Sequence, residues 1–422
     1  MTENKLFERV WDGTAAMEEW TESVKGGATT SITDDIIAIH TTYFCGNTTV
    51  IRTNVGLVVI DTGNDATAHQ MQAARRQWDD TPVHTVIYTH GHVDHTWGAR
   101  LIDWEADEKG APRPRVIAHR NVLRRFDRYD ASHGLNSLTQ RQQFGKSADY
   151  EYPTDHRCPD EVFDDHLSLT VGDVHMELFH GRGETDDATF VWLPDQRVVV
   201  SGDFVIWAFP NSGNPRKVQR FAPDWAQALR RMQELRPEVL IPGHGPVIFG
   251  ETRTAQVLSD GAEALESLTR QTLELMNCGA RLDEVLHTVQ PPAELLAKPW
   301  LLPKYDDPEF VVRSIWHLYA GWFDGNPGNL KPALSSELAC ELASLAGGAA
   351  KLAARALELA ETGHTRVAAQ LVEFAADASQ DDPAIQAARA RVLDSCIANE
   401  QSLIGKAIFA VYQREAKAKA EG

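Results

Sequence analysis

The stretch "TVIYTHGHVDHTWGAR", Thr85 to Arg100, follows a β-branched run with three histidines and an aspartate in six residues: His90, His92, Asp94 and His95. Two histidines that are two residues apart in an extended segment can point the same way, while the next turn can direct Asp94 and His95 to a neighbouring position. An incidental polar loop is one explanation. Two ligating pairs directly after a predicted strand instead favour half of a site that serves two metal ions.

Further candidate ligands stand at the ends of other apolar, strand-like runs. The segment "FHGRGETDDATFVWLP" contains Glu184, "VVVSGDF" contains Asp203 and "VLIPGHGP" contains His244. Upstream, "LVVIDTG" places Asp61 where its carboxylate can accept a hydrogen bond from a ligand imidazole and orient the ring. The chain therefore offers the partners that the first loop needs.

The chain has two regions of different composition. From about residue 32 to residue 250, β-branched runs alternate with amphipathic segments such as "DATAHQMQAARRQW" and "APDWAQALRRMQEL", which predicts strands and helices layered together. After residue 251 the sequence is almost continuously helix-forming and rich in Ala, Leu and Glu. We therefore predict an α/β domain over residues 1–255 and an all-α helical domain over residues 262–422.

Length and charge limit the possible partners. The 422 residues exceed what one hydrophobic core usually supports, and a net charge of -19 argues against nucleic acid or an anionic membrane as the main partner. The five cysteines are scattered and never form CxxC, which favours reduced thiols. The N-terminal "MTENKLFERVWDG" lacks a basic region followed by an apolar one. We expect a soluble, cytoplasmic protein.

A weak repeat occurs in the second half. The tetrapeptide "AARA" stands at residues 353–356 and again at 387–390, an offset of 34 residues, which is the period of tetratricopeptide-type helical hairpins. It favours stacked helix pairs with an interaction role, although ordinary helix packing without true repeats explains it equally well.

The motifs occur in a fixed order: HxHxDH, then a ligand ahead of a strand, then GD, then GHG. This order resembles that of binuclear hydrolases with the metallo-β-lactamase fold, over roughly residues 30–250. The resemblance implies an αββα sandwich with the site at one edge of its two sheets. The ligand set that it implies is His90, His92 and Glu184 for one metal ion, Asp94, His95 and His244 for the other, and Asp203 as the bridge.

Glu184 makes the chain resemble one group within this fold, the alkylsulfatases. Most enzymes of the fold have His at this position, whereas alkylsulfatases have Glu followed by an aromatic strand that ends in Leu-Pro, as in "FVWLP". The segments "FCGNTTVIRTNVGLVVIDTG" and "LYAGWFDGNPGNLKPA" resemble an alkylsulfatase strand pair and the start of the alkylsulfatase dimerisation domain. The resemblance therefore implies a homodimer formed through the C-terminal helical domain.

The chain also departs from the secreted alkylsulfatases. They have Glu as the bridging ligand where this chain has Asp203, a tryptophan-rich segment where it has "PGHGPV", and a third, lipid-carrier-like domain beyond the position of Gly422. These departures concern the substrate assignment.

Two metal ions about 3.5 to 4 Å apart can hold a bridging hydroxide at neutral pH and polarise an ester or sulfate oxygen. Asp94 and Asp203 are the carboxylates that we expect to take part in catalysis. Imidazole and carboxylate ligands suit Zn2+, while the extra carboxylates also suit Mn2+ or Fe2+. In "GNPRKVQRFAPDW", Arg216 and Arg220 are the predicted substrate-binding cations, with Lys217 beside them. A solvated basic turn explains this cluster equally well.

Other residues are weaker candidates. His180 and His133 could donate a proton to a leaving group, but structural hydrogen bonding explains them more simply. Four aromatic residues fit either an apolar pocket or the hydrophobic core, namely Trp97, Trp192, Trp207 and Phe209.

The sequence therefore favours a binuclear, metal-dependent hydrolase of the alkylsulfatase-like branch, acting on a small-molecule sulfate ester through a metal-bridging hydroxide. The alternative within enzymes is hydrolysis of a carboxylic ester, lactone or thioester. Net charge disfavours a nuclease, and His92 disfavours an oxygen-reducing di-iron protein. A non-catalytic assembly module, with its function in the helical half, is disfavoured by the complete ligand set.

Overall fold

The computed structural model describes residues 2–422, with side chains from residue 5 onward. The strands are β1 Ala28–Ser31, β2 Ile36–His40, β3 Thr48–Thr53, β4 Gly56–Ile60, β5 Val83–Ile87, β6 Arg115–His119, β7 Glu161–Phe163, β8 His166–Val171, β9 Val174–His180, β10 Thr189–Leu193, β11 Val198–Gly202, β12 Val239–Pro242 and β13 Ile248–Phe249.

Helices precede the strands, connect them and make up the C-terminal part. Their bounds are α1 Thr2–Trp11, α2 Met17–Val24, α3 Ala68–Trp78, α4 Val93–Thr96, α5 Ala99–Lys109, α6 Asn121–Ala131, α7 His133–Phe144, α8 Ala222–Glu234, α9 Glu251–Asn277, α10 Leu282–Thr288, α11 Ala293–Leu296, α12 Pro308–Ala320, α13 Ser335–Ala346, α14 Ala349–Glu361, α15 Thr365–Ala378, α16 Pro383–Asn399 and α17 Leu403–Glu421. Two 3-10 turns add Pro299–Leu301 and Pro327–Asn329.

The strands form two mixed sheets. The first has seven strands in the order β1 to β7, antiparallel from β1 to β4 and parallel from β4 to β7. The second has six strands in the order β13-β12-β11-β10-β9-β8, in which only β11 and β12 pair in parallel. Each parallel pair brings strand ends of the same polarity to one edge of its sheet, which is where loop residues can converge.

The alternation of side chains along β2 shows how the sheets stack. Ile36 and Ala38 belong to an apolar cluster shared with the second sheet, whereas Ile37 and Ile39 belong to a cluster shared with α3, α5 and α6. The outer face of the second sheet packs in the same way against α8, α9, α10 and α12. Because the central strands of both sheets are buried on both faces, they read as continuous apolar runs. The predicted αββα sandwich is confirmed.

The helical region begins inside the core of the second sheet. Helix α9 runs through residues 255–262 without a break, and Trp316 on α12 belongs to the same apolar cluster as Phe190 on β10. Beyond it, α13 to α17 pack on one another, and the two "AARA" segments lie in α14 and α16, where Ala353 and Ala388 share a small cluster. The domain limits 1–255 and 262–422 stay a prediction about units of folding.

Two smaller expectations concern membranes and thiols. Within residues 2–422, no helix combines the length and apolar character that crossing a bilayer requires. All five cysteines lie in this described part of the chain and are free, with Cys45 and Cys396 buried.

The packing between the sheets gives a test of the fold. Leu178 on β9 is fully buried between the two sheets, while Val55 in the β3–β4 turn is 54% exposed. We expect Leu178→Ala to lower the free energy of unfolding by about 2 to 5 kcal/mol, because it leaves a cavity in a close-packed layer. Urea unfolding would measure the change. Val55→Ala should stay within about 0.5 kcal/mol of the wild type, and equal effects of the two substitutions would contradict this layer arrangement.

Candidate metal centre

Strand ends of both sheets meet at one edge of the sandwich. His90 and His92 follow the end of β5, and Asp94 and His95 lie on the short helix α4 directly after them. The second sheet contributes three residues from loops after its strands: Glu184 after β9, Asp203 after β11 and His244 after β12. Because β5 and its neighbours end at the edge where β11 and β12 end, residues far apart in sequence converge there.

The first group of side chains comprises His90, His92, Glu184 and Asp203, with their ligand atoms all within 4.8 Å of one another. His92 Nδ1 lies 2.8 Å from His90 Nε2 and 3.2 Å from Glu184 Oε2. His90 Nε2 also lies 3.8 Å from Glu184 Oε2 and 3.7 Å from Asp203 Oδ2. Two imidazole nitrogens and two carboxylate oxygens therefore converge on one small volume.

The second group comprises Asp94, His95 and His244. Asp94 Oδ2 lies 3.6 Å from His95 Nε2 and 3.5 Å from His244 Nε2. Asp203 faces this group as well, because its Oδ1 lies 3.3 Å from His95 Nε2 and 3.5 Å from His244 Nε2. The two oxygens of Asp203 thus face different groups, which is the arrangement expected of a bridging carboxylate. The structure brings together all seven predicted ligands, and their metal-binding roles stay a prediction.

Hydrogen bonds on the far sides of the rings fix their orientation. Asp61 Oδ2 accepts from His95 Nδ1 at 2.7 Å and from the Thr89 hydroxyl at 2.7 Å, and Thr89 Oγ1 lies 3.1 Å from His90 Nδ1. His244 Nδ1 donates to the Tyr43 carbonyl at 2.8 Å. In each case the other nitrogen, Nε2, is turned towards the site. The predicted contact of Asp61 with a candidate ligand imidazole is confirmed.

Asp61 adopts a conformation that is uncommon for a residue other than glycine. Its φ is 59°, which places it in the left-handed region, while its backbone N–H donates to the Ile87 carbonyl at 2.9 Å. Its carboxylate also accepts from the backbone N–H of Thr89 at 2.8 Å. This carboxylate therefore holds the loop after β5 at two points, which is a reason for the chain to tolerate the strained backbone.

A glycine allows the last ligand segment to approach. A side chain at position 243 would begin 2.1 Å from Asp203 Oδ1, a distance at which real atoms do not pack. Only glycine therefore lets the loop that carries His244 lie against Asp203.

Several buried ligand atoms have no partner among the described residues. His95 Nε2, Glu184 Oε2 and Asp203 Oδ1 are shielded from solvent and form no hydrogen bond within the described chain. Burying such atoms unpaired is costly. Divalent cations would satisfy all three at once, so the side chains fit a pair of metal ions.

The charge of the site also favours cations. Burial alone would lower the pKa of His244, yet the charges of Asp203 and Asp94 raise it to about 9. Burial would raise the pKa of Glu184, but Arg220 and His92 overcome this effect and lower that pKa to about 2. The carboxylate of Glu184 is thus ionised at neutral pH and attracts positive charge, whether it comes from a proton or a metal ion.

Glu184 is held from behind by polar groups. Its Oε1 accepts from Asn211 Nδ2 at 2.8 Å and from Arg220 Nη1 at 2.7 Å, while Oε2 faces His92. Arg220 is only 3% exposed and also donates to the Asn211 carbonyl. The guanidinium therefore fixes the rotamer of Glu184 and compensates its charge.

A cavity of about 560 Å³ opens onto the two groups. Its inner wall contains candidate ligands together with Asn211, Lys217, Arg220 and Tyr305. Its apolar wall contains Tyr43, Phe44, Ala66, Val93, Phe144, Tyr152, Ile206 and Leu403. Phe44 is 59% exposed and Phe144 is 38% exposed, so both stand where the cavity meets solvent. The cavity therefore joins a charged inner end to an apolar mouth.

The three predicted cations differ in position. Arg220 lies in the cavity wall, but its charge is directed to Glu184. The guanidinium of Arg216 bonds to Gln142 on α7, and Arg216 is not among the residues lining the cavity; its substrate-binding role stays a prediction. Lys217 lines the cavity, is half-buried, and its ammonium has no hydrogen bond or ion pair with the described side chains. Lys217 is therefore the cation that remains available.

The remaining candidates are structural. His180 Nδ1 bonds to the Ala188 carbonyl and its ring stacks on His119, while His133 lies 3.3 Å from Glu151 on the surface. The aromatic residues that could have lined a pocket do not line this cavity; they are Trp97, Trp192, Trp207 and Phe209. Of these, Trp192, Trp207 and Phe209 pack in the core beside α8 and α9.

Tyr305 was not identified from the sequence. It lies between the 3-10 turn at Pro299–Leu301 and α12, about 60 residues beyond His244 in the last predicted ligand segment, and it reaches the cavity wall from there. Burial raises the pKa of its phenol well above the usual value, so the group stays neutral and can donate a hydrogen bond.

Comparisons with known proteins agree with this architecture. Residues 43–244 match the metallo-beta-lactamase superfamily, and residues 281–419 match the alkyl sulfatase dimerisation family. The chain is 26% identical to a linear primary-alkylsulfatase of Pseudomonas sp. (strain ATCC 19151), with 81% of this chain and 68% of the relative aligned. It is 27% identical to an alkyl/aryl-sulfatase of Saccharomyces cerevisiae, with 77% of this chain and 54% of the relative aligned.

The fold has a solved counterpart. The structure of a stereoselective inverting secondary alkylsulfatase from Pseudomonas sp. superimposes with a TM-score of 0.81 at 22% identity, over 94% of this chain and 66% of that one. The chain spans 54% to 68% of the length of the two sequence relatives. It thus joins a metallo-beta-lactamase domain to an alkyl sulfatase dimerisation domain and is homologous to the Pseudomonas alkylsulfatases.

Proposed function

We propose that the protein is a binuclear metal-dependent hydrolase that cleaves the sulfate ester of an apolar alcohol. The observation that carries the proposal is the placement of Asp203, whose two oxygens face two separate groups of ligand atoms at the inner end of the cavity. The names of the sequence relatives, which are alkyl or alkyl/aryl sulfatases, support the same reaction class.

His90, His92 and Glu184 would hold one ion, Asp94, His95 and His244 the other, and Asp203 would contact both. When bound, two divalent ions supply an activated water as nucleophile and polarise the oxygens of the ester. Zn2+ is the proposed metal because imidazole and carboxylate ligands suit it. The ion pair with Arg220 offsets part of the negative charge of Glu184. The net negative charge of the candidate ligands is therefore lower than their three carboxylates alone would give.

The inner wall of the cavity fits an anionic group. Lys217 Nζ is unpaired and lines the cavity, and the phenol of Tyr305 lines the same wall without a hydrogen-bond partner in the described chain. An ammonium and a neutral phenol both donate hydrogen bonds, which the terminal oxygens of a sulfate accept. We propose that Lys217 takes the place that Arg216 was expected to fill, with Tyr305 beside it.

The outer wall fits the alcohol part of the ester. Val93, Ile206 and Leu403 lie along it, and Phe44 and Phe144 stand at its mouth. Covering an alkyl chain with these side chains removes apolar surface from water, which favours binding by about 25 cal/mol per Å². An apolar chain with a charged head therefore matches both ends of the cavity.

We further propose that a second copy of the chain covers an apolar surface on the helical region, formed by Trp322, Leu330, Leu334, Leu338 and Leu345. These five residues are between 48% and 85% exposed. Large exposed apolar patches mark interaction sites in soluble proteins. The patch lies within the part that matches the alkyl sulfatase dimerisation family, which supports a homodimer as its occupant.

The first prediction concerns metal content. Purified protein should bind two divalent ions per chain, and Asp203→Ala should lose most of both ions and reduce turnover at least a hundredfold, because one carboxylate serves both groups. Metal analysis and kinetics would measure this. The matched control is Glu177→Ala, which removes a carboxylate from the outer part of β9 and should leave both ions bound. Full activity with a single ion would refute the binuclear proposal.

The second prediction concerns substrate charge. Lys217→Met should reduce kcat/KM for octyl sulfate about ten- to a hundredfold, since a charge-assisted hydrogen bond contributes roughly 1.5 to 3 kcal/mol. Hydrolysis of octyl acetate, which lacks terminal anionic oxygens, should change less than about threefold. Lys146→Met is the control, because Lys146 also lines the cavity but pairs with Asp65 at 3.4 Å. Rapid hydrolysis of acetates or lactones with no turnover of alkyl sulfates would favour the carboxylic ester alternative.

The same residue predicts a pH dependence. Burial and the charge of Arg220 lower the pKa of Lys217 to about 8, so its side chain loses its positive charge progressively as the pH rises through that value. The KM for octyl sulfate should therefore rise as the pH increases through about 8, while the KM for octyl acetate stays flat. Lys217→Arg should extend the low-KM range to higher pH, because arginine stays charged. An unchanged profile in that variant would contradict the role of Lys217.

The fourth prediction concerns assembly. Light scattering at micromolar concentration should give about twice the chain mass of 46.8 kDa. Replacing Leu338 and Leu345 together by Glu should shift the protein to a monomer, because charges would be buried in the contact. Val55→Glu changes an equally exposed apolar residue elsewhere and should leave the dimer intact. A monomeric wild type would overturn this proposal.

A further inference from the structure

Asp187 lies three residues after Glu184 and is fully buried. Its Oδ2 accepts a hydrogen bond from the backbone N–H of Gly91 at 3.0 Å and another from Arg125 Nε at 2.8 Å. Gly91 is the residue between His90 and His92, so one carboxylate oxygen holds the peptide that links two candidate ligands. The loop carrying Glu184 and the loop carrying these histidines are therefore joined directly.

Arg125 on α6 completes this contact. It is 2% exposed, and its guanidinium also reaches the carboxylate of Asp186. Burial alone would raise the pKa of Asp187, but the charge of Arg125 overcomes it and holds that pKa well below its usual value. The pair is thus ionised, buried and bonded on both sides, a combination that is costly to break once formed.

There is no room for a side chain at position 91. A side chain at this position would begin 2.8 Å from Arg125 Cδ and 3.0 Å from Asp187 Oδ2. A second tie runs parallel to the first, since the Thr189 N–H donates to the Thr89 carbonyl at 2.7 Å. The loop after β5 and the loop before β10 can therefore take only one position relative to each other while these contacts last.

We infer that Asp187 and Arg125 are positioning residues that fix the distance of His90 and His92 from Glu184, and so tune the affinity of one of the two metal ions. The inference rests on the proposed metal centre. Neither residue lines the cavity, so neither contacts the substrate. The other group has further supports of its own, since Asp61 bonds directly to His95 and the Tyr43 carbonyl bonds to His244. Loss of the Asp187–Arg125 pair should therefore affect the two ions unequally.

The test measures metal affinity separately from activity. The measurement is made in the His244→Ala variant, which lacks a candidate ligand of the second group. The Zn2+ ion that this variant still binds tightly then reports on His90, His92 and Glu184. Adding Asp187→Asn should weaken Zn2+ binding by about ten- to a hundredfold in chelator competition, the range typical for partners that orient ligands. The visible absorption of the Co2+ form should change with it. Arg125→Lys keeps the charge and should recover part of the affinity lost in Arg125→Met.

The matched control is Arg75→Met, which breaks another buried ion pair, with Glu105, away from the cavity. It should lower the melting temperature of the metal-free protein without changing the affinity for Zn2+. Zn2+ binding within threefold of the background in both Asp187→Asn and Arg125→Met would overturn the inference, as would an equal loss in Arg75→Met. If Asp187→Asn fails to fold, the comparison of Arg125→Met with Arg125→Lys tests the inference alone. Wild-type protein that binds no divalent ion would refute the proposed metal centre itself.

Discussion

The two oxygens of Asp203 point to two different groups of candidate ligand atoms. The strands and loops around the site position these groups on either side of this one side chain. Oδ2 faces His90, and Oδ1 faces His95 and His244. The carboxylate follows β11, and the parallel neighbour β12 delivers the loop with His244 to the same edge. The close approach of these loops explains why position 243 is a glycine. The seven side chains depend on both sheets, so neither sheet alone would form the site.

A buried cluster of carboxylates and imidazoles needs compensation, and the chain supplies it behind the ligands. Asp61 and Thr89 fix two rings, Arg220 pairs with Glu184, and Arg125 pairs with Asp187. These partners are themselves buried, so their bonds are little weakened by water. They satisfy the atoms behind the candidate ligands and leave His95 Nε2, Glu184 Oε2 and Asp203 Oδ1 without a partner in the described chain. The same compensation leaves Lys217 as the cation that is free to meet an anionic substrate.

The sequence predicted the central strands, and it named the seven side chains that meet at the sheet edge, because both leave strong local patterns. The apolar runs of the sequence correspond to β2 to β6 and β9 to β12, whereas β1, β7, β8 and β13 lack such a pattern because they are short or half exposed. The ligands stand in motifs directly after those runs. The position of Arg216 could not be predicted in the same way, because the orientation of a long side chain on a loop depends on its neighbour, here Gln142.

The position of Tyr305 could not be predicted from local sequence patterns. Nothing in "LLPKYDDPEF" indicates a cavity, and its position follows from packing of the segment before α12 against the second sheet. The backbone N–H of Gly213 donates to Asp306 at 3.0 Å, and the N–H of Leu403 donates to the carbonyl of Lys304 at 2.7 Å. The segment around Tyr305 is thus tied to the loop carrying Lys217 on one side and to α17 on the other. The helical region therefore completes the cavity wall, and changes in its packing will reach the inner end of the site through this segment.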